Sequence, residues 1–155
     1  MFSYPVSADF HTDARPAAVW AAFEAVERWP EILPNLIAAR IDPPGPLKTG
    51  AVIRSIAGEE IMPLDIDYRV TLAEAPHRLT LEVDADDWRG RTDYTFAADK
   101  GGSRVTVVST MEVTGKLLKL QMLVAGRRMT EQRASALRAR TRALLTLAER
   151  LAEEA

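Results

Sequence analysis

The 155-residue chain contains no cysteine, which excludes disulfides, thiolate metal ligands and a cysteine nucleophile. It has only two histidines, His11 and His77. One falls on the outer face of a predicted strand and the other in a turn. At that spacing they form no zinc site, and both are expected to be exposed structural residues. Neither a metal nor another cofactor is expected. Basic residues are not in excess: 20 Lys+Arg against 22 Asp+Glu give a net charge of -2 and a pI near 5.7, with no overall pull toward nucleic acid. No apolar run approaches the roughly 20 residues that span a bilayer. No glycine loop stands between a strand and a helix to cradle phosphate, since "DKGGS" reads as a hairpin turn. The acidic "DADD" lacks the glycine and distal glutamate of a calcium loop and reads as a solvated turn. The opening "MFSYPVSADF" lacks the basic start and apolar stretch of a secretory signal, so a cytoplasmic location is expected. There is no internal repeat and no Pro/Gly/Ser-rich linker. With 47% hydrophobic and 27% charged residues, residues 1–155 are expected to form a single domain with a real core.

What is present is unevenly distributed. Residues 1–113 carry 11 Lys+Arg and 18 Asp+Glu, whereas residues 114–155 carry 9 and 4. Two readings stand: a basic helix packed over an acidic sheet, or a helix that meets a membrane surface or a partner.

Periodicity divides the chain clearly. Residues 3–12 alternate as a strand, with Val6, Ala8, Phe10 and Thr12 on one face. "DARPAAVWAAFEAV" follows as a helix, with Asp13 as a cap, Pro16 in the first turn and a stripe of Val19, Ala22, Phe23 and Val26. Pro30 is expected to end it, because Trp29 before it is pushed out of the α region. A second short helix, "PEIL", is expected to start there, with Trp29 at the elbow. Strands follow at close spacing: about 36–41, 51–57, 62–72, 79–83, 88–98 and 105–113. The fourth strand places Met62, Leu64, Ile66, Tyr68, Val70 and Leu72 on one face, and the sixth places Trp88, Gly90, Thr92, Tyr94 and Phe96. Such a meander makes an antiparallel sheet with one wet and one covered side. From Thr114 to about Glu153 the period becomes helical, through Leu118, Met122, Ala125, Met129, Ala136, Leu144, Leu147 and Leu151, with Arg127, Arg128, Arg138, Arg140 and Arg142 largely off the stripe. About 40 residues make a helix of roughly 60 Å, longer than a domain of this size, so a bend near Gly126 is expected.

The order of elements, and the segments "ARPAAVWAAFEAVERWPEILPNL", "EAPHRL" and "TGKLLKL", resemble the polyketide cyclase/dehydrase and lipid transport branch of the START/SRPBCC superfamily. The resemblance covers essentially the whole chain. It implies an α+β helix-grip fold, β-α-α-β6-α, in which a curved antiparallel sheet of about seven strands wraps around a long C-terminal helix. In that fold a cavity lies between sheet and helix, with the short helices closing one end and Trp29 placed to plug or line the mouth.

Residue types alone allow either a solid core or a pocket; the resemblance favours the pocket. The residues expected to line it are Trp29, Leu33, Leu64, Tyr68, Leu81, Trp88, Thr92, Tyr94, Phe96, Ser109, Met111, Leu118, Met122 and Met129. Aromatics and methionines with few polar groups suit an adaptable apolar site. The inward hydroxyls of Tyr68, Thr92, Tyr94 and Ser109 are able to orient a guest, but none has an evident base beside it, and no catalytic residue is assigned. Arg89 and Arg91 are expected to face water unless a bulge at Gly90 turns one inward.

The expected function is binding of a hydrophobic small molecule of lipid, polyketide or isoprenoid type. A cyclase or dehydratase that folds a reactive chain in a dry cavity is the alternative. "ERWPEILP" is also similar to the coenzyme Q-binding branch, although "NLIAARI" departs from that branch's continuation. No nucleic-acid partner is expected, because the arginines of 127–142 do not interleave with aromatics. Transient membrane contact and homodimerisation stay open.

Overall fold

The computed structural model describes residues 3–59 and 61–154. Strand β1 (Ser3–Thr12) leads to helix α1 (Pro16–Glu24) and a 3-10 segment (Val26–Glu31). Six strands follow: β2 (Leu36–Asp42), β3 (Val52–Glu59), β4 (Met62–Glu74), β5 (Arg78–Asp84), β6 (Trp88–Asp99) and β7 (Gly102–Val113). Helix α2 (Lys116–Glu154) closes the chain. The strands form one sheet in the order β1-β7-β6-β5-β4-β3-β2, with every neighbouring pair antiparallel. This is the helix-grip arrangement.

Local sequence explains most boundaries. Pro16 occupies the first turn of α1, where its missing N–H costs no hydrogen bond. Asp13 does not cap the helix; Arg15 stands at that position without a side-chain bond. The break after α1 falls at Ala25 rather than at Pro30, and Pro30 lies inside the 3-10 turn. The tighter winding accommodates it, and Trp29 is thereby carried inward. Its Nε1 donates to the Ala22 carbonyl at 3.0 Å, and the indole packs in the main core. A bulge in β4 after Val70 shifts the register, so that Leu72 stands opposite Thr80 and Ala73 opposite Leu79. Ala73 therefore takes the core-facing place expected of Leu72. At Gly102 a Cβ would lie 2.0 Å from the Thr12 carbonyl oxygen, so only glycine lets β7 start beside the end of β1.

Helix α2 departs from helical geometry at Ala125 (φ -127°, ψ 20°), one residue before the glycine where a bend was expected. Its C-terminal part buries Leu137, Leu144, Leu145, Leu147 and Ala148 in the main core, together with α1 and β1 residues. Arg28 pairs with Glu154, and Thr12 donates to Glu149, tying that end to the 3-10 turn and to β1. Thr141 is fully buried there, and its hydroxyl has no partner among the described residues. An unmade hydrogen bond in a core costs about 1–3 kcal/mol. Thr141→Val, equal in shape, is expected to raise stability by roughly 1 kcal/mol, measured as a higher urea midpoint at unchanged slope.

The core is asymmetric. Under α1, Trp20, Phe23, Tyr94 and Phe96 form an aromatic stack with ring centroids 4.8–6.2 Å apart, and Phe23 and Phe96 are fully buried. Toward the start of α2 a separate, smaller cluster joins Met111, Val113 and Met122 to Trp88, Leu118 and Met129. Between the two the grip is hollow.

Candidate functional site

A cavity of about 1110 Å³ lies between the sheet and α2, slightly above the usual range for small-molecule sites. The inner faces of β4 to β7 supply Leu64, Ile66, Tyr68, Leu81, Val83, Trp88, Thr92, Ser109 and Met111. Helix α2 supplies Leu118, Met129, Gln132, Arg133, Ala136, Leu137 and Arg140. Strand pleat dictates the first set, since inward residues recur every second position; helical pitch dictates the second.

Nine of the fourteen residues predicted to line a pocket stand on this wall: Leu64, Tyr68, Leu81, Trp88, Thr92, Ser109, Met111, Leu118 and Met129. Five do not. Tyr94 and Phe96 lie on the inner face of β6 but are consumed by the aromatic stack under α1. Trp29 is held in the core by its bond to Ala22, so it neither plugs nor lines a mouth, and Leu33 packs against the same core. Met122 is buried in the smaller cluster with Met111 and Val113. The aromatic end of the grip is solid because α1 drives Phe23 between Tyr94 and Phe96. No such wedge enters the other end.

The β6 register is regular through Gly90, which faces Met111 and Val83. With no bulge, Arg89 and Arg91 point outward, Arg89 to Glu112 and Arg91 to Asp93. Gly90 has a different purpose. A Cβ there would lie 2.8 Å from Cζ3 of Trp88 and 3.1 Å from Cγ1 of Val83, so the absent side chain is what lets the Trp88 ring lie flat on the cavity wall. The turn before Trp88 is fixed in turn by the Asp87 carbonyl, which accepts from the N–H groups of Thr114 and Gly115 at the start of α2.

Charge is arranged in two zones. At the β3–β4 side, Arg54 bridges Asp42 and Asp67, and Arg69 meets Asp84. On α2, Arg133 and Arg140 have no carboxylate within ion-pair distance among the described residues; Arg140, expected off the apolar stripe, stands instead on the cavity wall. Arg133 donates to the Tyr4 carbonyl at 2.7 Å, and burial pulls its guanidinium below the ordinary arginine range. Arg140 lies beside Tyr94 and Tyr68. Its attraction to Tyr94, and then to Tyr68, holds its guanidinium above the ordinary range in spite of burial. Burial pushes the Tyr68 phenol up, opposed in part by the charge of Arg140. Near neutral pH the deep wall thus presents one permanent cation and the neutral Tyr68 hydroxyl. Thr92 and Ser109 face each other across β6 and β7 at 3.5 Å, a second weakly engaged polar pair.

Comparison with known proteins agrees with this fold. The family model described as "Polyketide cyclase / dehydrase and lipid transport" matches residues 5–149. None of the curated proteins matches the sequence significantly. Among solved structures, a START superfamily protein from Mycobacterium smegmatis superposes with a TM-score of 0.70 at 14% identity, over 95% of this chain and 98% of that one. Ara h 8.0201 gives 0.68 at 14% identity, over 93% and 96%. The di-domain ARO/CYC StfQ from the steffimycin biosynthetic pathway gives 0.73 at 13% identity, over 97% of this chain and 51% of that one. At such identities the structures share a fold, and this chain spans about half the length of the di-domain protein.

Proposed function

The chain belongs to the polyketide cyclase/dehydrase and lipid transport family, and from that premise we propose that it binds one hydrophobic small molecule in the cavity between sheet and α2. The observation that carries this reading is the hollow itself: about 1110 Å³ beside an aromatic end packed solid, in a protein with ample apolar side chains to fill it. Its walls are mainly apolar, the make-up of a small-molecule pocket. The expected guest is of lipid, polyketide or isoprenoid type. Binding is favoured over turnover because, of the carboxylates on the cavity wall, Asp67 and Asp84 are held in ion pairs with Arg54 and Arg69, and among the described residues none is hydrogen-bonded to the Tyr68, Thr92 or Ser109 hydroxyls. Arg89 and Arg91 face outward, and the neighbour of Tyr94 is a cation rather than a carboxylate.

Native mass spectrometry of gently purified protein, before and after incubation with a panel of long-chain lipids and isoprenoids, tests the proposal. A one-to-one apolar adduct is expected. The bare mass under every condition would count against it.

Exchange of such a guest requires access to a lipid phase, and the same end of the molecule offers it. Leu117, Leu120, Leu123 and Val124 on the first part of α2 are 58–85% exposed, and Ile61 and Met62 at the β3–β4 tip are also well exposed. Lys116, Lys119, Arg127 and Arg128 flank the helical stripe, and no acidic residue occurs between Val113 and Thr130. Apolar residues bordered by cations suit the interface of an anionic bilayer. Sedimentation with vesicles containing phosphatidylserine is expected to pull down the protein, and Leu120→Asp with Leu123→Asp is expected to release at least tenfold more into the supernatant. Binding to neutral and anionic vesicles alike would remove the role of the flanking cations, and a concentration-dependent dimer that the double variant abolishes would assign this stripe to a second copy.

A further inference from the structure

Arg140 is a charge the apolar reading does not account for. It lies on the wall of the cavity, half-buried, and among the described residues no carboxylate comes within ion-pair distance of it. Its company is phenolic: Tyr94 and Tyr68 are the groups that act on its charge. A guanidinium has five N–H donors in a planar fork, and one phenol oxygen satisfies only a minority of them. Charges withdrawn from water without a partner are costly and are retained where something repays them.

We propose that the guest is an amphipathic carboxylate, seated with its anionic head on Arg140 and its apolar body running past Leu81, Met111 and Trp88 toward Leu118. This rests on the reading of the cavity as a binding site and specifies the class of molecule it takes. A carboxylate matches the guanidinium fork with two parallel hydrogen bonds, and Tyr68, on the same cavity wall, offers a further donor. The head carries a single negative charge, because the other arginines on the cavity wall are poorly placed to help: Arg54 and Arg69 are held in ion pairs with aspartates. Arg133 is seven residues away, about 10 Å along the helix axis, and donates to the Tyr4 carbonyl. A phosphate dianion would leave charge uncompensated. Polarity also fixes direction: the cation lies toward the aromatic end of the grip, near Tyr94, and the apolar cluster of Trp88, Leu118 and Met129 lies at the other.

The test compares hexadecanoic acid with its methyl ester by equilibrium titration near pH 7.5, on the wild type and on Arg140→Gln, Arg140→Lys and Arg133→Gln. The wild type is expected to bind the acid at least tenfold more tightly than the ester. Arg140→Gln is expected to reduce the acid to the affinity of the ester while leaving the ester unchanged, which also shows that the cavity of the variant is intact. Arg140→Lys is expected to keep part of the preference, and Arg133→Gln nearly all of it. Equal affinity of the wild type for acid and ester would overturn the carboxylate assignment and leave the cavity as a binding site. Preference that persists in Arg140→Gln would overturn the role of Arg140. If neither ligand binds the wild type, the binding function itself fails and this inference with it.

Discussion

Phe96→Ala is expected to destabilise the fold by about 3–5 kcal/mol, the range for removing a large aromatic from a packed core. The ring is fully buried and makes contacts with Trp20, Phe23 and Tyr94 at 4.9–6.2 Å between centroids. Helix α1 on one side and β6 on the other fix its neighbours, so the surroundings have little freedom to collapse into the space. Met129→Ala, on the cavity wall, removes a comparable length of side chain from a place already bordered by empty volume. Its cost is expected to stay below about 1.5 kcal/mol, since fewer packed atoms lose partners. Urea denaturation of both variants measures the contrast. Similar losses would mean that the two ends of the grip are packed alike and that the hollow closes in solution.

Gly90→Val is expected to weaken binding of an apolar guest at least tenfold. Its Cβ alone would intrude to 2.8 Å from the Trp88 ring, and two further methyl groups leave the ring no place on the wall. The indole must swing into the cavity or out toward water, and either movement dismantles the cluster it forms with Leu118 and Met129. Overpacking of this kind also costs about 1–3 kcal/mol in stability. Fluorescence isolates the event, because Trp20 and Trp29 are buried in the core and only Trp88 adjoins the cavity. Emission is expected to change in Gly90→Val, while Arg89→Ala, one residue away and facing outward, leaves both emission and affinity near wild type. Equal effects from the two substitutions would contradict the observed β6 register.

The fold was readable because alternation along β1, β4, β6 and β7 marks which residues turn inward, and because a proline in the first turn and a change to helical period mark the helices. The cavity wall was half readable for the same reason. Strand pleat identifies the inner face, but not how much of that face a helix will cover; Tyr94 and Phe96 share a face with Thr92 and differ from it only in lying beneath Phe23. That depends on where α1 comes to rest, a tertiary fact with no local signal. Trp29 was misplaced because the helix break was assigned to Pro30, whereas a 3-10 turn absorbs the proline and rotates the indole inward. Arg140 is expected off the stripe and lies on the wall. The spacing 129, 133, 136, 140, 144 is a continuous helical stripe, and it places Arg133 and Arg140 among Met129, Ala136 and Leu144. Arginine on an apolar stripe is easily assigned to the solvent side by its chemistry, when its position argues for the inside.

The central claim, a hollow that accepts one apolar guest, is tested most directly by titrating an environment-sensitive fluorescent fatty acyl probe into the wild type and into Ser109→Trp. Ser109 faces the cavity opposite Thr92, and an indole there occupies the space without disturbing the aromatic end. Saturable one-to-one enhancement in the wild type, lost in Ser109→Trp while the thermal midpoint holds, is the expected result. Weak non-saturating enhancement, or a curve that Ser109→Trp leaves unchanged, would place the probe outside the cavity and contradict the claim.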